Sequence, residues 1–102
     1  MAQEGNTDLV TSGPQHAVYA ISVAAELAGT AVQNLRVYER VGLLTPSRTS
    51  GGTRRYSDDD VARLRRIVAL LDDGLNLAGV ARVLDLEEEN ASLRAEARRT
   101  VD

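Results

Sequence analysis

The feature that most constrains the fold lies in residues 21–57, where two short helical segments stand close together before a basic hairpin. Ser22 is expected to cap the first helix, and Gly29 suits the left-handed position at its end. Thr30 and Gln33 have the spacing of a capping box, so the second helix is expected to begin within about two residues of the first. Two helices joined by so short a turn form a helix-turn-helix.

A hairpin is predicted directly after the second helix. Gly42 ends that helix, and Pro46 confirms the break because it cannot continue a helical ladder. Residues 47–49 and 53–56 are expected to form two strands joined by a tight turn at 50–52. The pair of strands would stand beside the second helix as a wing.

Helical patterns dominate the rest of the chain. Ser57 with Asp60 forms a second capping pair at the start of a third helix. Gly74 stops that helix and Asn76 can cap a fourth. The segment 86–102 is rich in helix formers and follows the four-and-three spacing of a coiled-coil seam, which predicts dimerisation through four positions: Leu86, Asn90, Leu93 and Ala97.

The predicted fold class is therefore mainly α. It is a winged helix-turn-helix of four helices plus a small β-hairpin wing, followed by a short C-terminal dimerisation helix. Residues 1–17 are polar and are expected to form a disordered tail. The predicted DNA-binding domain covers 18–85 and the dimerisation helix covers 86–102.

Charge is distributed unevenly along the chain. The formal net charge is −3, which alone would argue against a nucleic-acid partner. Residues 33–56, however, carry five arginines against the single acid Glu39, whereas the segments on either side are acidic. The helix-turn-helix and wing thus form a basic surface between acidic ends, which favours duplex DNA as the partner.

Composition excludes several other classes of protein. The chain has no cysteine and one histidine, His16, so disulfides, thiol sensing and cysteine-based metal sites are excluded. Phe and Trp are absent, which argues against the aromatic stacking that single-stranded nucleic acids use. No nucleophile–base pair or phosphate loop is present, so no enzyme and no cofactor are expected. Without a transmembrane run or signal peptide, the protein is expected in the cytoplasm, associated with the nucleoid and not with a membrane.

One face of the second helix carries the side chains expected to reach base edges. Gln33, Arg36, Val37 and Arg40 recur at the spacing of one helical face. A helix in the major groove needs long donors on one side, and arginines of a neighbouring hairpin can follow the phosphates. The residues predicted to contact DNA are Gln33, Asn34, Arg36, Tyr38, Arg40, Arg48, Thr53, Arg54, Arg55 and Tyr56.

Some of these residues have a purely structural interpretation. Arg36 and Arg40 can decorate a solvated helix face and pair with Glu39 or other acids. The ring of Tyr56 can close the small core beneath the wing. The run Asp58–Asp60 is interpreted as a helix N-terminus rather than a metal site, because its side chains point in different directions around the helix.

The strings NLRVYERVGLL at 34–44 and TRRYS at 53–57 resemble the recognition-helix and wing signatures of the MerR family of bacterial transcription regulators. The resemblance covers roughly residues 19–101 and implies a homodimer that binds an inverted repeat in duplex DNA. Two departures, Val37 and Thr53, stand where the family often has tyrosine, and they suggest fewer phosphate contacts. Members usually add a sensor after the dimerisation helix, and none is expected here.

The strings at 18–29 and 76–86 are most similar to the heat-shock repressor branch of that family, which represses chaperone genes. The resemblance implies an Hsp70-class chaperone as co-repressor, with the acidic surface beyond residue 57 as its docking face. Thermal weakening of the short dimer seam is the alternative mode of control. An activator, an architectural DNA-binding protein and a protein-interaction module with secondary DNA binding remain as alternative functions.

Overall fold

The computed structural model describes residues 13–101, with side chains described for 13–100. The first 12 positions of the predicted tail lie outside the described residues. Within the described range, no helix is long and apolar enough to cross a membrane. The elements in chain order are β1 (Ala17–Tyr19), α1 (Ile21–Ala28), α2 (Val32–Arg40), β2 (Ser47–Arg48), β3 (Arg54–Ser57), α3 (Asp58–Asp72) and α4 (Leu77–Val101).

This mainly helical chain with a small antiparallel sheet is the predicted winged helix-turn-helix. It divides into two compact units, one ending at Val68 and the other beginning at Ala69. The first unit contains the helix-turn-helix and the wing. The second contains the C-terminal end of α3 and all of α4. The predicted boundary between residues 85 and 86 stays a prediction.

The turn between α1 and α2 depends on a glycine, as the sequence predicts. Gly29 adopts φ 74°, which a side chain would disfavour. Its N–H donates to the carbonyl of Glu26 at 3.1 Å, and the N–H of Thr30 donates to that of Ala25 at 3.0 Å. These two bonds form a Schellman ending, which satisfies the free carbonyls of α1 and turns the chain directly into α2.

The predicted N-terminal caps of these two helices are wrong. Ala20 and Ala31 occupy the cap positions, and neither makes a side-chain cap hydrogen bond. Helix α1 begins at Ile21, which leaves Ser22 inside the first turn. Thr30 lies one residue too early to cap α2, and its hydroxyl oxygen accepts instead from the Asn34 amide at 2.9 Å.

The sheet has three strands in the order β1-β3-β2, one more than predicted. Strands β2 and β3 form the expected hairpin, with Ser47 opposite Arg55 and Arg48 opposite Arg54. Strand β1 adds to the other edge of β3, where Tyr19 pairs with Tyr56. Residues 13–16 form a turn and Ala17 begins β1, so the last five positions of the predicted tail are structured. A three-residue strand whose partner lies far along the chain leaves no local signal.

The core of the first unit is built from aliphatic residues and two tyrosine rings. Small alanines on α1 allow the short helices to approach closely. Helix α3 starts with the predicted capping box, in which the Asp60 carboxylate accepts from the Ser57 N–H at 2.9 Å and the Ser57 hydroxyl accepts from the Asp60 N–H at 3.0 Å. The buried side chains are those of Ala24, Ala25, Ala28, Leu35, Tyr38, Leu43, Leu44, Tyr56, Val61, Leu64 and Ile67.

In the second unit, the predicted fourth helix and the predicted dimerisation helix form one continuous helix, α4. Asn76 precedes it and accepts from the Gly79 N–H at 2.9 Å, as the sequence predicts. Val80 and Leu84 of α4 are buried, whereas Leu86 and Leu93 are exposed. No Gly or Pro interrupts residues 80–101, so nothing in the sequence breaks the helix at residue 85.

Candidate nucleic-acid interface

The exposed face of α2 carries four of the residues predicted to contact DNA: Gln33, Asn34, Arg36 and Arg40. Leu35 and Tyr38 lie three positions apart on the buried face, which orients the helix and turns the polar residues outward. Arg36 and Arg40 make no ion pair within the described residues. Their guanidinium groups are therefore available to an external acceptor.

The wing arginines stand in a different environment, because Glu39 of α2 binds two of them. Arg48 Nη2 donates to Glu39 Oε2 at 2.7 Å, and Arg54 Nε donates to Glu39 Oε1 at 2.5 Å. Arg48 also donates to the carbonyl of Gly52 at the wing turn, at 3.1 Å. One carboxylate thus ties α2 to both strands of the wing.

The Glu39 side chain is 20% exposed, and those of Arg48 and Arg54 are 46% and 27% exposed. Burial alone would raise the pKa of Glu39, but hydrogen bonds and positive charge from Arg54 and Arg48 outweigh it and hold that pKa below its ordinary value. The carboxylate is therefore charged at neutral pH. The structural alternative for the helix arginines paired them with Glu39 or other acids, but Glu39 binds the wing arginines instead.

A surface pocket lies between α2 and the wing, lined by Arg36, Glu39, Arg40 and Arg54. Three guanidinium groups and one carboxylate already shared with Arg48 give this pocket a positive balance. It joins the outward face of α2 to the wing in one surface. Its chemistry suits an anion such as a backbone phosphate.

Arg55 differs from its two neighbours on the wing. Side chains alternate along a strand, so Arg55 points to the opposite face of β3 from Arg54 and Tyr56. It is half-buried and its Nη1 donates to the adjacent carbonyl of Arg54, at 3.1 Å. Thr53 is exposed at the start of the strand, where its N–H donates to the Thr49 hydroxyl at 3.2 Å.

One residue predicted to contact DNA, Tyr56, is wrong, whereas a contact through the Tyr38 hydroxyl stays a prediction. Tyr56 is 0% exposed and Tyr38 is buried, so both rings belong to the core beneath the interface. The structural interpretation of Tyr56 is the correct one. Tyr38 follows Leu35 at the spacing of one helical face, a signal in the sequence that places it inward.

No motif in the sequence assigns a role to Glu39, whose carboxylate the structure places between α2 and the wing. It is the single acid among the five arginines of residues 33–56, and that isolation was the available signal. The acidic run Asp58–Asp60 opens α3, as expected. Within residues 13–100, no three His, Asp or Glu side chains group in a way that could hold a metal ion.

The chain matches known proteins over the segment that builds this interface. Residues 19–87 match the profile of the MerR HTH family regulatory proteins. The chain is 51% identical over 81 residues to the heat shock protein HspR of Streptomyces coelicolor. The match covers 78% of this chain and 54% of that protein. The HTH-type transcriptional repressor CarH of Myxococcus xanthus is 46% identical over 67 residues, covering 65% of this chain and 22% of that protein.

The fold is similar to that of HiNmlR, a MerR family regulator lacking the sensor domain, whose crystal structure was solved bound to promoter DNA. The TM-score is 0.63 at 30% identity, with 81% of this chain and 69% of that chain covered. The chain spans about half the length of HspR and less of CarH. CarH is a transcriptional repressor and HiNmlR is a MerR family regulator. On its sequence, its fold and the geometry of α2 and the wing, the chain belongs to the MerR family of helix-turn-helix regulatory proteins.

Proposed function

We propose that the protein regulates transcription by binding duplex DNA in a sequence-specific manner through α2 and the wing. The observation that carries this proposal is the outward face of α2, where Arg36 and Arg40 are exposed and free of ion pairs within the described residues. Paired donors of this kind suit guanine edges in the major groove. The likeness to HiNmlR, whose structure contains promoter DNA, supports the same placement.

A gel shift with a salt titration tests DNA binding. Phosphate contacts release counterions, so the logarithm of the binding constant should fall steeply with the logarithm of salt concentration. A protein-interaction module with secondary DNA binding would give weak, sequence-independent shifts. Enrichment of one sequence from a randomised duplex library would supply the operator, and failure to enrich any sequence would contradict the proposal.

We propose further that the protein represses heat-shock or chaperone genes. The identity to HspR supports the heat-shock assignment, and the similarity to the repressor CarH supports the sign of regulation. Chromatin immunoprecipitation followed by a promoter reporter would test both. A rise in reporter activity with the protein present would favour an activator, and binding throughout the genome without a change in transcription would favour an architectural protein.

A homodimer on an inverted repeat is the form that we propose for the active protein. Leu86 and Leu93 of α4 are 50% and 56% exposed, an unusual state for two leucines on one helix face. The predicted positions Asn90 and Ala97 are exposed beside them. A surface pocket on α4 includes two of the four positions, Leu86 and Asn90. A partner chain covering this face would bury both leucines.

Leu93→Asp tests the dimer, with Ser92→Asp as the matched control. Ser92 is exposed and lies away from the seam on α4. Ser92→Asp therefore introduces the same charge outside the proposed interface. We expect Leu93→Asp to be monomeric by light scattering and to lose cooperative binding to the inverted repeat, while Ser92→Asp behaves as the wild type. A wild-type protein that stays monomeric both free and on DNA would contradict the proposal.

Control by an Hsp70-class chaperone is a further part of the proposal, and it rests on the similarity to HspR. The chaperone would act as co-repressor at the acidic surface beyond residue 57, in the cytoplasm where the nucleoid lies. Gel shifts on the enriched duplex, with and without the chaperone, measure its effect. The protein should bind the duplex more tightly when the chaperone is present. A loss of affinity on heating, with no effect of the chaperone, would favour thermal control through the dimer seam.

A further inference from the structure

Three side chains of the wing share one face of the sheet. Arg48 and Arg54 are cross-strand partners, so they project from the same side of the hairpin. Tyr56 follows Arg54 by two positions on β3 and therefore points to that side as well. Both arginines bind Glu39, and the hydroxyl of Tyr56 lies within electrostatic range of the cluster formed by Glu39, Arg48 and Arg54.

The hydroxyl of Tyr56 is the exception within this well-paired cluster. Tyr56 is 0% exposed, and its hydroxyl oxygen has no hydrogen-bond partner among the described residues. Buried polar groups nearly always have one, so an orphan of this kind calls for a reason. Burial first, and the negative charge of Glu39 second, raise the pKa of Tyr56 and keep its hydroxyl protonated. The group is therefore a donor lacking an acceptor.

Glu39 has both of its oxygens occupied by arginine. Arg48 binds Oε2 and Arg54 binds Oε1, one donor for each oxygen. A backbone phosphate offers arginine the same kind of acceptor as this carboxylate. A phosphate in the pocket beside Arg54 would offer this guanidinium a second acceptor. If Arg54 turns to the phosphate, one carboxylate oxygen of Glu39 loses its donor.

We propose that Glu39 exchanges donors when DNA binds: a backbone phosphate takes Arg54 or Arg48, and the hydroxyl of Tyr56 donates to the carboxylate oxygen that the arginine leaves. Glu39 and Tyr56 are then positioning residues, because they act on DNA through the arginines and not by contact. The inference rests on the proposed DNA-binding function. It explains why a fully buried hydroxyl stands without a hydrogen-bond partner within electrostatic range of a carboxylate.

The first test is Tyr56→Phe, which removes only the hydroxyl. We expect this variant to bind the duplex that the wild-type protein enriches about three- to tenfold more weakly, the equivalent of one hydrogen bond. Its melting temperature in the absence of DNA should not fall, since no hydrogen bond is lost there. If Tyr56 had only a structural role, its substitution would lower stability. A substitution that lowers DNA affinity and leaves stability unchanged therefore indicates a role in binding.

Tyr19→Phe is the matched control. Tyr19 pairs with Tyr56 across the sheet, but its hydroxyl donates to Asp58 at 2.6 Å. Removing it breaks a hydrogen bond that is already made, so the melting temperature should fall while DNA affinity stays within about twofold of the wild type. The two tyrosines should therefore show opposite patterns.

A double-variant cycle ties the effect to Glu39. In the background of Glu39→Ala there is no carboxylate to accept from Tyr56, so adding Tyr56→Phe should cause no further loss of affinity. If Tyr56→Phe does not fold, the proposal can be tested by nuclear magnetic resonance on wild-type protein labelled with 13C at the tyrosine Cζ. The Tyr56 signal should move on addition of the duplex, and it should not move in Glu39→Ala.

The proposal is overturned if Tyr56→Phe binds as tightly as the wild type, or if its loss of affinity is the same in the Glu39→Ala background. An unchanged Tyr56 signal in the wild-type complex also overturns it. These outcomes leave DNA binding intact. A wild-type protein that enriches no duplex would instead contradict the proposed function itself, so the two failures are distinguishable.

Discussion

The recognition helix and the wing carry the same kind of side chain in opposite situations. Arg36 and Arg40 of α2 are exposed and make no ion pair within the described residues, whereas Arg48 and Arg54 of the wing bind Glu39. In the sequence, all four arginines belong to one basic segment. The structure separates two that make no ion pair within the described residues from two that are paired with a carboxylate. The count of arginines in this segment therefore overstates how many are without an ion pair among the described residues.

The largest expected effect comes from the unpaired arginines of α2, Arg36 and Arg40. Arg36→Ala should weaken binding to the preferred sequence by about 1–3 kcal/mol if its guanidinium makes a paired contact with guanine. Affinity for scrambled duplexes should change far less. Competition gel shifts measure both. Arg82→Ala, an exposed arginine on α4, loses the same charge and is the control. Unchanged affinity and site preference in Arg36→Ala would mean that α2 is not the recognition helix.

The two arginines that bind Glu39, Arg48 and Arg54, should contribute to folding stability. Arg54 is the less exposed partner of Glu39, so Arg54→Ala should lower the free energy of unfolding by about 1–2 kcal/mol. Arg48 is more exposed and screened by water, so Arg48→Ala should cost about 0.5 kcal/mol or less. Urea denaturation compares the two. Equal losses would break the distinction between a partly buried and an exposed ion pair.

Arg55 belongs to neither set, because it points away from Glu39. If it contacts a phosphate, Arg55→Ala should lower the slope of binding against salt by about 0.9 for every duplex tested. Arg55→Lys keeps the charge and should keep most of the slope. A loss restricted to one sequence would instead assign Arg55 to base recognition.

The smallest expected effect is the pH dependence of the stability that the Glu39 ion pairs with Arg48 and Arg54 contribute. The pKa of Glu39 lies below the ordinary 4.5, so its contribution to stability is present above that pH and is lost as pH falls through the folded-state pKa. Wild type should therefore be more stable than Glu39→Gln at neutral pH, and the difference should narrow below pH 4.5. Thermal melts of both proteins across that range would measure it. A constant difference would show that the ion pairs contribute no stability.

Short-range patterns in the sequence were sufficient for much of the fold. Gly29 at the end of α1, the Ser57–Asp60 capping box and Asn76 before α4 act on backbone groups a few residues away. Helical and strand periodicities also depend on near neighbours alone. The helix-turn-helix, the wing and the outward face of α2 could therefore be predicted from residue order and spacing.

What only the tertiary structure decided concerns partners that are distant in sequence. The third strand β1, the choice of Arg48 and Arg54 as partners of Glu39, and the burial of Tyr56 all depend on which surfaces meet after folding. An arginine or a tyrosine is chemically suited both to a phosphate and to a neighbour within the protein. Residue type therefore determined what these side chains are able to bind, and packing determined which of them are occupied, buried or free.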